Sequence, residues 1–294
     1  MDRARLHPWV VRAAWAVLPF AAGPAFADAL DARSVPVRTV ASVGLWLVWG
    51  VALCGSLVLH PIALTLLRVV APAAVASAGW AAAQRDVGAS GAFAVAITLV
   101  ALSLVFLPET GVAFVNGPAY PNERRFPLRV PGPLLFGPLV VAWVLTAGIP
   151  IAALLLLSAR QWIAGGIAGT VGAAAVFFLG RALHGLSRRW VVFVPAGLVL
   201  HDPMTLVDPV LFPKLKIAGV EIAAAGTDAL DLTQRSPGIA LELALREEAT
   251  LVLTKPGERI GPTVAVDRLL FTPTRPGRVL GELRVRMGAP PSDG

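Results

Sequence analysis

Cysteine occurs once in the chain, as Cys54 within an apolar run. A single thiol excludes an internal disulfide and any cysteine-based metal site, and it leaves the redox compartment unread. The four histidines, His7, His60, His184 and His201, fall at no metal-ligand spacing. No glycine-rich phosphate loop follows a strand. The residues therefore assign no catalytic, cofactor-binding or metal-binding position, and the expectation is a protein that is not an enzyme. Lysine is scarce: 22 of the 25 cations are arginine, which with abundant alanine and glycine points to a GC-rich bacterial genome. Most telling is the lack of any Asp or Glu inside the long apolar runs. A hydrophobic content of 56% and a mean hydropathy of +0.73 exclude an ordinary soluble protein.

The net charge of +7 invites a nucleic-acid reading, but its distribution argues against one. Residues 1–183 carry 12 Lys/Arg and 6 Asp/Glu, whereas residues 184–294 carry 13 and 12. The excess lies among the apolar runs, which is a topology signal rather than a polyanion-binding surface. Six runs are expected to cross about 30 Å of hydrocarbon: residues 9–27, 40–59, 61–83, 91–107, 133–157 and 161–183. The first follows Arg3 and Arg5 and ends at Ala25-Phe26-Ala27, so it also imitates a cleavable signal peptide. A retained helix, interrupted at Pro19 and Pro24, is favoured because the later spans need an N-terminal partner to pack on.

Six spans with both termini in the cytoplasm place Arg3, Arg5, Arg12, Arg124, Arg125, Arg129, Arg181, Arg188 and Arg189 inside. Arg33, Arg38, Arg85 and Arg160 then lie outside, which satisfies the positive-inside rule. The expected location is the bacterial cell membrane, with the lipid bilayer as partner and no nucleic acid.

Residues 161–202 organise the chain. Their first half is a helix of membrane length, and Arg181, His184, Arg188, Arg189 and Trp190 read as a basic and aromatic belt at the membrane surface. The period then changes: RWVVFV, a Pro-Ala-Gly turn and LVLH form a hairpin. The expected architecture is a transmembrane helical domain over 1–183 and a cytoplasmic β domain over 184–294. In the latter, Ile239, Leu241, Leu243 and Leu245 alternate toward a core. Val279, Leu280, Leu283 and Met287 form the stripe of a last helix.

Candidate sites are few. Arg68 is the one charge well inside an apolar segment, and Pro72 lacks the N–H that would bond the carbonyl of residue 68. Together they suggest a polar intramembrane site; the competing reading is that Arg68 snorkels to the interface. Ser56 and His60, four apart, imitate a nucleophile–base pair with no third group to orient them. Tyr120, Glu123, Arg124 and Arg125, in the long 109–132 connection, form either a docking loop for the β domain or a partner, or a solvated proline-rich linker. Gly165, Gly169 and Ala173 form a small-residue face for helix packing within the chain, with homodimerisation as the lesser reading.

The order of short strands closed by one C-terminal helix over residues 188–288 resembles the bacterial pleckstrin-homology-like (PH-like) domain attached to membrane spans. The resemblance implies contacts with lipid headgroups or with proteins. Phosphoinositide-binding relatives carry a basic cluster between the first two strands. Here that loop is Pro195-Ala196-Gly197, and the nearest basic pair is Lys214 and Lys216. The resemblance therefore implies protein contact or a structural role ahead of phosphoinositide binding. The functional expectation is a non-enzymatic scaffold whose cytoplasmic domain contacts proteins or headgroups. The alternative is a small transporter or lipid-handling protein working around Arg68 and Pro72.

Overall fold

The computed structural model describes residues 3–84, 88–255 and 261–287. The chain forms two compact units, one of Met1–Gly117 with Leu139–His184 and one of Pro118–Pro138 with Gly185–Gly294. The first unit begins with α1 (Arg3–Asp31), α2 (Val35–Leu57), α3 (Pro61–Ala82), α4 (Gly88–Phe106) and the short α5 (Pro108–Asn116). An excursion into the second unit supplies β1 (Arg124–Pro127) and the one-turn α6 (Gly132–Leu135). The chain returns as α7 (Pro138–Trp143), a π-helical turn (Val144–Gly148), α8 (Ile149–Ser158) and α9 (Trp162–Ser187).

Among the described residues, six helical stretches are long and apolar enough to cross a membrane: His7–Asp31, Val35–Leu57, Pro61–Ala82, Gly88–Phe106, Pro138–Ser158 and Trp162–Ser187. The first is unbroken, against the expected interruption at Pro19 and Pro24. Pro19 cannot donate to the Trp15 carbonyl one turn back, and the Trp49 indole N–H supplies the missing donor at 2.7 Å. The fifth starts five residues later than expected, because Gly132–Leu135 is a separate turn and Gly137 (φ +136°) breaks the helix.

Alanines set the packing of this unit. Ala22, Ala25 and Ala29 of α1 meet Ala78 and Ala81 of α3 and Ala94 of α4, letting the backbones approach closely. Large side chains such as Val43, Leu47, Ile163 and Phe177 point outward, as hydrocarbon requires. The end of α2 is closed by Arg12, whose Nε and Nη2 donate to the Ser56 and Leu57 carbonyls at 3.1 and 3.3 Å.

Among its described residues the second unit holds two four-stranded sheets, the one-turn α6 and a longer C-terminal helix. β2 (Trp190–Val194), β3 (Gly197–His201) and β4 (Val210–Pro213) follow one another, with β1 paired antiparallel on the free edge of β2. After a 3-10 turn at Lys214–Lys216 come β5 (Ile217–Ile222), the two-residue β6 (Leu230–Asp231), β7 (Leu241–Val252) and β8 (Thr263–Phe271). Their spatial order is β5-β7-β8-β6. The chain ends in α10 (Pro276–Met287). One core joins Phe126, Val191, Phe193, Leu241, Leu243, Leu269, Phe271 and Val279, with Leu280 and Leu283 of α10 packed against it.

Two expectations change here. The β unit is discontinuous: residues 118–138, read from sequence as a connection and the start of a span, supply its edge strand and α6. Ile239 is half exposed and precedes β7, so the core alternation starts at Leu241.

Candidate functional site

The β2–β3 hairpin turns at Pro195-Ala196, and Gly197 follows at φ +154°. A Cβ there would collide with the Phe212 carbonyl, so only glycine lets the turn lie against the end of β4. The Lys214 N–H then donates to the Ala196 carbonyl at 2.9 Å. This close approach brings the uncharged hairpin loop and the basic 3-10 turn together.

Between them lies a cavity of about 190 Å³ lined by Phe193, Val194, Pro195, Gly197, Leu198, Lys214, Ile217, Leu283 and Arg286. Its apolar lining comes from β2, β3, β5 and α10. Its cations come from residues 72 apart: Lys214 Nζ donates to the Arg286 carbonyl at 2.6 Å. The Arg286 guanidinium is oriented by three groups. Its Nε donates to Glu282 at 2.7 Å and its Nη1 to the Asn122 carbonyl at 2.9 Å, while its carbon lies 6.0 Å from the Phe193 ring centre. A small apolar hollow edged by Lys214, beside an Arg286 already paired with Glu282, suits a ligand that is partly apolar and carries an anionic group.

The expected membrane-surface belt is not all surface. Arg189 and Asp202 are 2% and 1% exposed and form a two-pronged ion pair, Nε to Oδ1 and Nη2 to Oδ2, both at 2.7 Å. Arg189 Nη1 also donates to the Arg129 carbonyl at 2.8 Å. Trp190 is buried in the same unit, with His201 stacked on one side at 5.1 Å and the Arg125 guanidinium 5.4 Å from its ring. Burial holds the His201 imidazole below its ordinary pKa, and the hydrogen bond between its Nδ1 and the Arg188 carbonyl (2.7 Å) opposes that shift.

Other singled-out residues fall as follows. Arg68 is half-buried on α3; its Nε has no hydrogen-bond partner among the described residues, and its guanidinium carbon lies 5.6 Å from the Phe106 ring. Phe106 in turn meets Trp143 edge-on at 5.3 Å. Pro72 lies inside α3 without ending it. Ser56 and His60 do not share a helix, since α2 stops at Leu57 and α3 starts at Pro61. Ser56 Oγ donates to the Leu53 carbonyl, and His60 Nδ1 caps α3 by accepting from the Ile62 N–H. Ser56 and His60 therefore serve separate helix ends and do not form a nucleophile–base pair.

In the 118–138 segment, Glu123 accepts from the Tyr120 N–H at 3.1 Å and pairs with Arg125 at 3.0 Å, while Tyr120 and Arg124 are exposed. On α9 the small-residue face is rotated from the expected one. Gly165 abuts Leu157 and Gly172 abuts Pro150, whereas Gly169 has open space and Ala173 is exposed. The spacing is seven residues, not four. Arg85 lies outside the described residues.

The sequence matches no family model, and no curated protein or solved structure matches it. Sequence reasoning missed Asp202 and Arg286. Asp202 was within reach: the hairpin register Trp190↔His201 sets Arg189 opposite Asp202. Arg286 carried no signal beyond a basic last turn of α10.

Proposed function

We propose that this is a multi-pass membrane protein whose β unit is its working part, a binding module held at the cytoplasmic face of a bacterial cell membrane. The supporting observation is the cavity in which Lys214 and Arg286 meet apolar side chains from four elements. Two packed sheets with a C-terminal helix suit the PH-like arrangement that the order of elements suggests. In this reading the module acts by contact with lipid headgroups or proteins and not by catalysis.

Leu283→Trp fills the cavity from a partly buried position. In a deletion strain, the reading requires that this variant fail to complement at normal abundance while Arg68→Ala complements. The opposite pattern would overturn it. Sidedness is tested with cysteines at Tyr120 and Gln161, both exposed, in a Cys54→Ala background. An impermeant reagent should reach position 161 and not 120 in intact cells.

A second reading, a lipid-handling or transport site around Arg68 and Pro72, draws on the unpartnered Arg68 Nε. It also draws on Thr146, a buried residue in the π-helical turn whose hydroxyl likewise has no partner among the described residues. Such turns recur at functional positions in helices. Reversal of the complementation pattern above is its signature.

A further inference from the structure

Two tripeptides of one pattern meet beside the cavity. Lys214-Leu215-Lys216 forms the 3-10 turn, and Arg284-Val285-Arg286 ends α10. They are joined by the hydrogen bond from Lys214 Nζ to the Arg286 carbonyl. In each, the central apolar side chain points away from the core: Leu215 is 88% exposed and Val285 82%. Val285 lies on the side of α10 opposite Val279 and Leu283, which is where a helix of a soluble domain places polar residues. A third large exposed side chain, Tyr120 at 79%, is two residues from Asn122, whose carbonyl holds Arg286. Each of these three exposed side chains is thus within two residues of the hydrogen bonds that join Lys214, Arg286 and Asn122, and their exposure to water is unfavourable.

The charge balance of the patch is positive. Glu247 pairs with Lys216 at 2.9 Å and Glu282 with Arg286 at 2.7 Å. Among the described residues no carboxylate pairs with Lys214 or Arg284. Two cations therefore remain for an outside anion.

One end of the patch is close in chain to the helical unit. Asn122 is five residues from Gly117, and five residues reach at most about 18 Å. Gly117 abuts the turn between α2 and α3, since a Cβ on it would collide with the Leu59 carbonyl. That turn joins two helices of membrane length. Asn122 therefore follows the helical unit by only five residues of chain.

Apolar tips flanked by uncompensated cations, one of them (Tyr120) three residues along the chain from the helical unit, match one partner. We infer that Leu215, Val285 and Tyr120 insert into the headgroup region of the protein's own bilayer, with Lys214 and Arg284 drawn to anionic lipid phosphates. The inference rests on the reading of the β unit as a contact module and names the surface it contacts. Docking then fixes the orientation of the cavity at the membrane.

The test uses the full chain with Cys54→Ala, carrying one cysteine at Leu215, Val285 or, as control, the half-exposed Ile239. Each is labelled with an environment-sensitive fluorophore and reconstituted into vesicles of phosphatidylcholine alone or mixed with phosphatidylglycerol. With phosphatidylglycerol, emission at positions 215 and 285 should shift to the blue and quenching by neutral acrylamide should fall about twofold or more, with position 239 unchanged. Adding Lys214→Glu and Arg284→Glu should return both probes to their phosphatidylcholine values.

Equal quenching in the two lipid mixtures overturns the inference, and so does protection that survives the charge reversals. Equal protection in both mixtures points instead to a protein contact. If docking fails while Leu283→Trp is inactive in cells, the contact-module reading stands without it. If docking is seen while Leu283→Trp complements and Arg68→Ala does not, docking stands and that reading falls.

Discussion

Arg189 donates two hydrogen bonds at 2.7 Å to the carboxylate of Asp202, thirteen residues later, and both side chains are out of reach of solvent. The same guanidinium holds the Arg129 carbonyl, and Asp202 Oδ1 also accepts from the Met204 N–H at 3.1 Å. One ion pair thus ties the entry of β2 to the exit of β3 and to the 118–138 segment, three parts of the chain that must converge for the first sheet to close. Removing one partner leaves an unpaired buried charge. Arg189→Ala or Asp202→Ala should each lower stability by about 3–5 kcal/mol, whereas Arg189→Met combined with Asp202→Leu should recover much of the loss. Chemical denaturation of the detergent-solubilised chain, followed by proteolysis within residues 185–287, measures both.

The discontinuity of the β unit makes a second prediction. Residues 185–287 expressed alone lack β1, so the edge of β2 opposite Arg124–Pro127 is bare and Arg189 Nη1 loses its acceptor. That fragment should aggregate, and a peptide covering 118–138 should restore a soluble β-rich species. A monomeric, cooperatively unfolding fragment without the peptide would contradict the assignment of β1.

His201 couples stability to pH. Its folded pKa lies below its ordinary value because burial disfavours the imidazolium. The unfolded chain therefore binds the proton more readily. The His201 contribution is complete above the ordinary histidine pKa of about 6.5 and is lost as pH falls through that value toward the folded pKa. Tm of the wild type should drop on acidification through this window, and His201→Phe, which keeps the ring stack on Trp190, should reduce the slope.

The glycines of α9 should separate. A Cβ at Gly165 would lie 2.7 Å from Leu157 side-chain atoms, while Gly169 has open space. Gly165→Leu should force α8 and α9 apart and lower Tm by several degrees, an overpacking cost of about 1–3 kcal/mol. Gly169→Leu should leave Tm nearly unchanged. Equal effects at both positions would restore the four-residue spacing and the dimer-face reading that goes with it.

Sequence alone determined the parts that follow from local chemistry. Apolar runs near the hydrocarbon thickness and without carboxylates read as helices of membrane length, and six such helices form among the described residues. The Pro-Ala-Gly turn had to make a hairpin, and the 241–245 alternation had to face Leu241 and Leu243 inward. Short-range patterning carries that information because each residue reports on its own burial. Strand parity in β2 was less legible: Trp190–Val194 is apolar throughout, so nothing marked Val191 and Phe193, rather than Val192 and Val194, as members of the main core.

Tertiary structure alone decided what depends on residues far apart. The edge strand of the β unit comes from a connection between spans, because RRFP can satisfy its backbone and bury Phe126 only against β2. Lys214 reaches Arg286 because α10 folds back on β5, and no periodicity records a hydrogen bond across 72 residues. Arg189 shows the limit most clearly. Its charge beside a span reads as a membrane-surface cation, yet Asp202 was available opposite it in the hairpin, and a buried charge is stable only where such a partner is already in place.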